Sequence, residues 1–498
     1  MKKKALLIIA PVMVVVLGTI GYLQEGHTLY EAFLGGMDFL KVEFKVLPPN
    51  AFLEASRWLG VLFLFGIIYS AIIAIAERGV IFAKARRNDT VAVHGDSVYA
   101  PVLLSALGSR GIQSDSRMAL NAPVQVLLFD DDRKALEFYQ RNSDALKIAR
   151  EVHICLNTAC HANMKYDNVF VTDLSEIRSI DYWRANFCME PETIAIIGSG
   201  SLPETVLYWA LLTNVTDIDC SNSYLVFGKN ERFRAVHGDI SGIIRDYGDD
   251  SISFYSDEWY KHADELKKAD RIILCGETMA NVEAAHDMRS IGIKCGIHLF
   301  AENSSVSALA DDSVTVVGTI SKENIRQVLL MDSIHEAGRL CHATYMALAA
   351  HDVEDPDADY LKEFIRTDAF RRDWKSLDPF TRGSNYATAI HDPVKRDLLL
   401  KAGLDVKGLK AEENREQYER LGSKVKERLQ EIEHIRWSRY HLLNNWKAPE
   451  GDIVIDGVRK QKDAANRLHE CLVPYSGLSE EDKNKDAYYY QTLALRTD

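Results

Sequence analysis

Two uncharged apolar runs, Ala5 to Leu23 and Trp58 to Ala76, lie close together at the start of the chain and constrain its fold most strongly. Each is 19 residues long, which as a helix reaches roughly 28 Å, close to the hydrocarbon thickness of a bilayer. Lys2, Lys3 and Lys4 precede the first run, and Arg78, Lys84, Arg86 and Arg87 follow the second. Basic flanks stay on the cytoplasmic side of a membrane. The expected arrangement is therefore a transmembrane hairpin over residues 1–89, with spans 5–23 and 58–76, in the cell inner (plasma) membrane and with both termini cytoplasmic. A cleaved signal peptide is the alternative for the first run. Against it, no small-x-small cleavage site lies between Gly18 and Gly26, and a second span follows soon after.

The connecting segment, Gln24 to Arg57, faces outward on this reading and mixes both charge signs. Thr28 to Leu40 fits a re-entrant helix with Leu29, Phe33, Met37 and Leu40 on one side. Lys41-Val42-Glu43-Phe44-Lys45-Val46 follows, where an ion filter would sit. There is no Thr-Val-Gly-Tyr-Gly filter, so potassium selectivity is not implied. In a four-fold ring, Asp38 and Glu43 are the candidate pore residues and favour cations, while Lys41 and Lys45 oppose them. An interfacial amphipathic helix that conducts nothing is the other reading of this segment.

Beyond the hairpin about 410 residues remain, enough for roughly three domains. The chain carries a net charge of −13, which argues against nucleic acid as a partner. Its 8 cysteines all fall after residue 150, in the part expected to be cytoplasmic, where thiols stay reduced. His153, Cys155, Cys160 and His161 are types that bind zinc. However, Cys155 sits in the apolar run Val152 to Leu156 and no paired C-x-x-C accompanies it, so no metal centre is expected.

From Thr90 the pattern changes to strand, small-residue turn, helix. Val91 to His94 is a strand, Gly95-Asp96-Ser97 the turn, and Pro101 to Leu107 a helix. A second strand, Val124 to Phe129, ends in Asp130-Asp131-Asp132, where an acidic residue can hold a ribose in dinucleotide-binding folds. Only Gly95 remains of the three-glycine fingerprint. A second cycle opens with Ile194 to Ile197 and the turn Gly198-Ser199-Gly200-Ser201, whose backbone amides suit an anion, although Glu204 brings a negative charge close by. Strands follow at Ser223 to Phe227, Arg271 to Cys275, Lys294 to Leu299 and Ser313 to Val317. Gly95, Ser97, Asp130, Gly198 and Gly200 are the candidate nucleotide-binding residues of these two units. Leu329 to Ala350 reads as a helix leading out, and the acidic run Asp352 to Asp359 as a solvated linker. Glu412 to Asn445 reads as one helix, with Leu421, Val425, Leu429, Ile432 and Ile435 on a buried face.

Two family resemblances follow from these residues. Glu433-His434-Ile435-Arg436-Trp437, Asn444-Asn445-Trp446, His469, Leu472-Val473-Pro474-Tyr475 and Leu478 to Lys483 resemble a ryanodine receptor repeat (RyR) domain. The turn after Trp446, Lys447-Ala448-Pro449-Glu450, departs from the glycine usual there. Thr90 to Ala350 is similar to the paired TrkA-like or RCK (regulator of potassium conductance) domains beneath two-span cation channels. That likeness rests on the turns at Gly95 and Gly198 and on their place directly after a membrane hairpin. The domains expected are the hairpin (1–89), two Rossmann-like α/β units (90–190 and 191–350), a helical linker region (351–430) and a mainly α RyR domain (431–498).

The RCK resemblance implies a cytoplasmic gating ring, and the RyR resemblance a small-molecule sensor. The ligand-binding candidates it implies are Trp437 and Trp446 as stacking faces, Arg436 or Arg439 for a phosphate, Asn444 and Asn445 for a base edge, with His469 and Tyr475. Together they imply a ligand-gated channel, a homotetramer in a lipid bilayer that passes inorganic ions. Its effector is an adenine or cyclic nucleotide, and no resident cofactor is implied. A non-conducting membrane-anchored nucleotide receptor is the alternative. A Rossmann enzyme finds less support, since the chain has no Walker lysine, no G-x-S-x-G elbow, no H-E-x-x-H pair and no intact dinucleotide fingerprint.

Overall fold

The computed structural model describes residues 2–41, 48–113, 118–157, 168–238, 247–302, 304–308, 313–330, 332–349 and 358–496. The chain divides into two compact units, one of residues 1–90 with 116–122, the other of residues 91–115 with 123–498.

In the first unit, α1 (Lys2–Gln24) and α3 (Ala51–Ala85) are joined through α2 (Leu29–Asp38) and a tight turn, Phe39–Lys41. The ends are set by side-chain caps. Thr28 and Glu31 cap each other at the start of α2, and Asn50 Oδ1 accepts from the Phe52 and Leu53 amides at the start of α3. Asn50 also donates to Gln24 Oε1 at 3.2 Å, while Ser56 Oγ donates to the Val14 carbonyl at 2.6 Å. Pairing Gln24 with Asn50 and Val14 with Ser56 makes α1 and α3 antiparallel. Small residues let α2 wedge in, since a Cβ on Gly18 would lie 2.7 Å from the Gly36 Cα.

The α3 helix is long and apolar enough to cross a membrane, and Leu62, Phe65 and Ile75 on it are exposed. α1 runs through the expected first span, and its apolar helical stretch covers Ala10–Gln24. Asp38, at the end of α2, pairs with Lys41 at 3.2 Å. Glu43 lies outside the described residues.

The second unit holds two parallel sheets. The first contains β1 (Val91–His94), β2 (Gly111–Gln113), β3 (Val124–Leu128), β4 (Glu151–Leu156) and β5 (Val169–Asp173), in the order β2-β1-β3-β4-β5. That is the flavodoxin-like version of a doubly wound sheet, with its switch point between β1 and β3. The second contains β6 (Thr193–Ile197), β7 (Ser223–Phe227), β8 (Ser251–Tyr255), β9 (Arg271–Leu274), β10 (Gly296–Phe300) and β11 (Val314–Val317). Its order, β11-β10-β9-β6-β7-β8, is the Rossmann order, with the switch point between β6 and β9. Val93, Val126 and Ile154 in the first sheet, and Ile194, Ile196 and Ile273 in the second, are fully buried, as expected of strands covered on both faces. The Leu174–Asn186 and Ser201–Thr213 helices pack together through Ser179 and Thr205, whose hydroxyls are 2.9 Å apart, and Trp183 donates to the Val206 carbonyl at 2.8 Å.

The remainder is helical. The stretch expected as a linker folds from Ala358 as a series of helices. The single helix expected over 412–445 is two, Ala411–Glu419 and Ser423–Leu443, separated at Gly422. The second is the central post of the region. Glu433 on it accepts from Arg436 at 2.8 Å and from Lys395 at 3.2 Å, and Arg496 grips Asp392 with two bonds of 2.8 and 3.1 Å. These groups are withdrawn from water, which is tolerable only because each charge is paired and hydrogen-bonded.

Candidate functional site

The sheet turns carry little that would hold an anion at β1. Gly95 has φ +119°, and a Cβ there would strike the Leu128 carbonyl oxygen, so strand packing alone explains the glycine. Ser97 is buried and donates its amide to the same carbonyl at 3.3 Å. Asp130 is exposed, and its amide donates to Asp96 Oδ1 at 3.4 Å. The Asp96 carboxyl is held below its usual range by the hydrogen bond from Lys134. Two carboxylates thus crowd this edge, an arrangement that repels phosphate. The β6 turn is different. Gly198 closes it with an amide bond of 3.0 Å to the Phe227 carbonyl, and Gly200, at φ +99°, is the N-cap of the Ser201–Thr213 helix with open space beside it. Glu204 is nearly buried there and is neutralised by Arg232 at 2.6 Å.

The candidates of the C-terminal region part into three groups. Arg436 and Arg439 are fully buried and committed, the first to Glu433 and Thr388, the second to Asp250 and two carbonyls. The RyR resemblance implies one or the other as a phosphate partner. The correction is that each guanidinium is spent on a buried carboxylate. Asn444 and Asn445 also turn away from the expected base edge, donating to Tyr208 Oη at 3.0 Å and to the Val236 carbonyl at 2.8 Å. Tyr475 donates to Gln430 at 2.7 Å. Trp437, Trp446 and His469, by contrast, line one cavity of about 300 Å³.

That cavity is an aromatic box. His434, Trp437 and His441 come from successive turns of the Ser423–Leu443 helix, Phe380 from the Pro379–Ile390 helix, and His469 from the short hairpin of Lys462–Asp463 with Leu468–His469. Ring centroids are 3.9 Å apart for Trp437 and His441, 4.9 Å for Trp437 and His469, and 4.7 Å for Phe380 stacked on Trp446. Burial pushes all three imidazoles below their ordinary pKa; His469 falls to about 4, with the nearby Lys462 charge adding to the effect. They are neutral at pH 7. His469 Nδ1 accepts from the Cys471 amide at 3.1 Å, leaving its Nε2–H as a donor, whereas His441 Nδ1 donates to the Trp437 carbonyl at 3.0 Å, leaving Nε2 as an acceptor. A donor and an acceptor 5.6 Å apart by ring centroid sit among stacking faces.

Charges mark the rim. Lys485 pairs with Asp482 at 2.7 Å; burial would raise that carboxyl, but hydrogen bonds from Lys485, Ser479 and Gln461 hold it near about 2. Lys462 lines the cavity as well and is exposed. Asp486 is different again, because burial and then the Glu433 charge push its carboxyl well up. His434 and His441 were not among the sequence candidates, although their spacing with Trp437, at i, i+3 and i+7, places all three along one helix face. Phe380, 54 or more residues away in the chain, carries no such signal.

A second and larger cavity, about 730 Å³, lies between β5, the Leu174–Asn186 and Ser201–Thr213 helices and the end of the Ser423–Leu443 helix. Asn444 and Asn445 line it, and Phe380 and Trp446 line both cavities. Among the described residues no cluster of histidine, cysteine and carboxylate side chains suits a metal ion. Cys155 is buried in β4 and His153 stacks on Phe170, while Cys160 and His161 lie outside the described residues.

No protein-family model matches the chain, and no curated protein matches it. A solved structure of GsuK bound to ADP is similar over 66% of this chain and 97% of that one, with 13% sequence identity and a TM-score of 0.30. That likeness is loose, and the class of the second unit rests on its own strand pairing: two doubly wound parallel α/β sheets joined to a helical region with an aromatic cavity.

Proposed function

We propose that the protein is a ligand-gated ion channel of the inner membrane, a homotetramer whose α1 and α3 form the membrane hairpin and whose helical region senses a nucleotide. The observation that carries the sensor reading is the box of Phe380, Trp437, His441, Trp446 and His469. It offers stacking faces to a base, a neutral donor and acceptor to its edge, and Lys462 at the rim for a phosphate. The pair of complementary groups matches an adenine edge, which presents one donor and one acceptor. At about 300 Å³ the cavity is at the small end for ligand sites. The channel reading is supported by the antiparallel helices, the wedged α2 and the exposed apolar surface of α3.

Gating then follows from differential affinity. Moving a closed-to-open equilibrium from 1:99 to 99:1 takes about 5.5 kcal/mol, or about 1.4 kcal/mol from each of four sites. The test is current across a planar bilayer containing the full-length protein, with adenine and cyclic nucleotides added, and Trp437→Ala as the site control. Nucleotide-dependent steps lost in the variant support the channel. Binding that depends on Trp437 with no current at any nucleotide moves the protein to the class of non-conducting receptors. Nucleotide turnover would instead make it an enzyme.

A further inference from the structure

The 730 Å³ cavity has a chemistry of its own. Its distinctive polar group is Glu176, in the first turn of the Leu174–Asn186 helix, and among the described residues no cation pairs with this carboxyl. Burial pushes its pKa up, and the neighbouring Trp209 N–H only partly offsets this. The Trp209 indole nitrogen is itself buried and approaches this carboxyl. Tyr208 and Tyr440 also line the cavity, and both phenols are close enough to feel the Glu176 charge. Two guanidinium groups line it too. Arg467 is exposed and spends one bond on the Asn444 carbonyl at 3.0 Å; Arg382 is half-buried, with a buried Nε that has no partner among the described residues.

A carboxylate offers two acceptor oxygens and meets best a group with two parallel N–H donors. Aromatic walls favour a planar ring, and guanidinium groups a phosphate. A simple ammonium ion would leave most of the space empty, and an adenine edge, with its own acceptor, would face an acceptor-only oxygen pair. We propose that this cavity is a second ligand site, which takes a guanine nucleotide with the N1–H and N2–H edge on Glu176, the ring against Trp209 and Trp446, and the phosphate on Arg382 and Arg467. The site shares the Phe380 and Trp446 wall with the Trp437 box but has its own polar groups, and it stands whether or not the channel reading does.

Calorimetric titration of the full-length protein in detergent with GMP, guanosine, AMP and choline tests it. In the Trp437→Ala variant, which disables the adenine box, GMP binds, and AMP and choline bind at least about tenfold more weakly. Glu176→Gln, which replaces one acceptor with donors, weakens GMP by about tenfold or more. Arg467→Ala, at an exposed position that keeps the fold, weakens GMP but leaves guanosine unchanged. Trp437→Ala retains GMP binding, which separates this site from the box. The proposal is overturned if GMP does not bind, if AMP or choline binds the Trp437→Ala variant as tightly as GMP does, or if neither Glu176→Gln nor Arg467→Ala changes GMP affinity.

Discussion

Arg439 and Asp250 form a fully buried ion pair, with Arg439 Nη1 donating to Asp250 Oδ2 at 2.7 Å and neither side chain reaching water. The pair ties the central helical post to the loop before β8. Arg439 also donates to the Leu211 and Tyr247 carbonyls, and Asp250 accepts from the Asn222 amide at 2.8 Å, so each charge is held by the backbone as well as by its partner. Asp250→Ala strands the guanidinium and should cost about 3–5 kcal/mol. Asp250→Leu with Arg439→Met should cost clearly less than that. Thermal unfolding of the full chain checks this, and equal losses in the single and double variants would refute it.

Gly95 and Gly200 look alike in sequence but should differ on substitution. At Gly95 an added methyl meets the Leu128 backbone, which cannot swing aside, whereas at Gly200 the space is open and only the positive φ is strained. Gly200→Ala should therefore cost about 1–3 kcal/mol. Gly95→Ala should cost more and disturb the first sheet. Hydrogen exchange on β1 and β3 reads the difference: protection lost in Gly95→Ala and kept in Gly200→Ala.

Acid should loosen the aromatic box. The His469 imidazole has a folded pKa lowered to about 4, because burial and Lys462 oppose its charge. The unfolded chain keeps the ordinary value of about 6.5. As pH falls between these values the unfolded state takes up the proton first, so stability present above about 6.5 is lost on the way to 4 and no further loss from this group follows below. His469→Gln should show a shallower decline of melting temperature over that window than the natural chain. Parallel curves would show that His469 does not contribute.

Much of the α/β architecture is legible in the chain because central strands are continuous apolar runs, as in Val124 to Leu128 and Ile194 to Ile197. The strands that escape notice, β2, β5 and β8, all lie at sheet edges. β8, Ser-Ile-Ser-Phe-Tyr, alternates polar and apolar groups and is only partly buried. Of the site, Trp437, Trp446 and His469 do meet in one cavity. Arg436 and Arg439 do not join them, because local sequence cannot distinguish a phosphate partner from a carboxylate that lies three residues away, as Glu433 does, or 189 away, as Asp250 does. Glu176 escapes notice for a related reason: its neighbours Tyr208 and Tyr440 come from other helices.

The stacked rings of Phe380 and Trp446 are a party wall with a tenant's room on each side. A ligand that moved Trp446 from one side would alter the room on the other, so the two proposed sites would be coupled. Thermodynamic reciprocity would then require that the factor by which the ligand proposed for one cavity changes binding in the other equal the factor in the reverse direction.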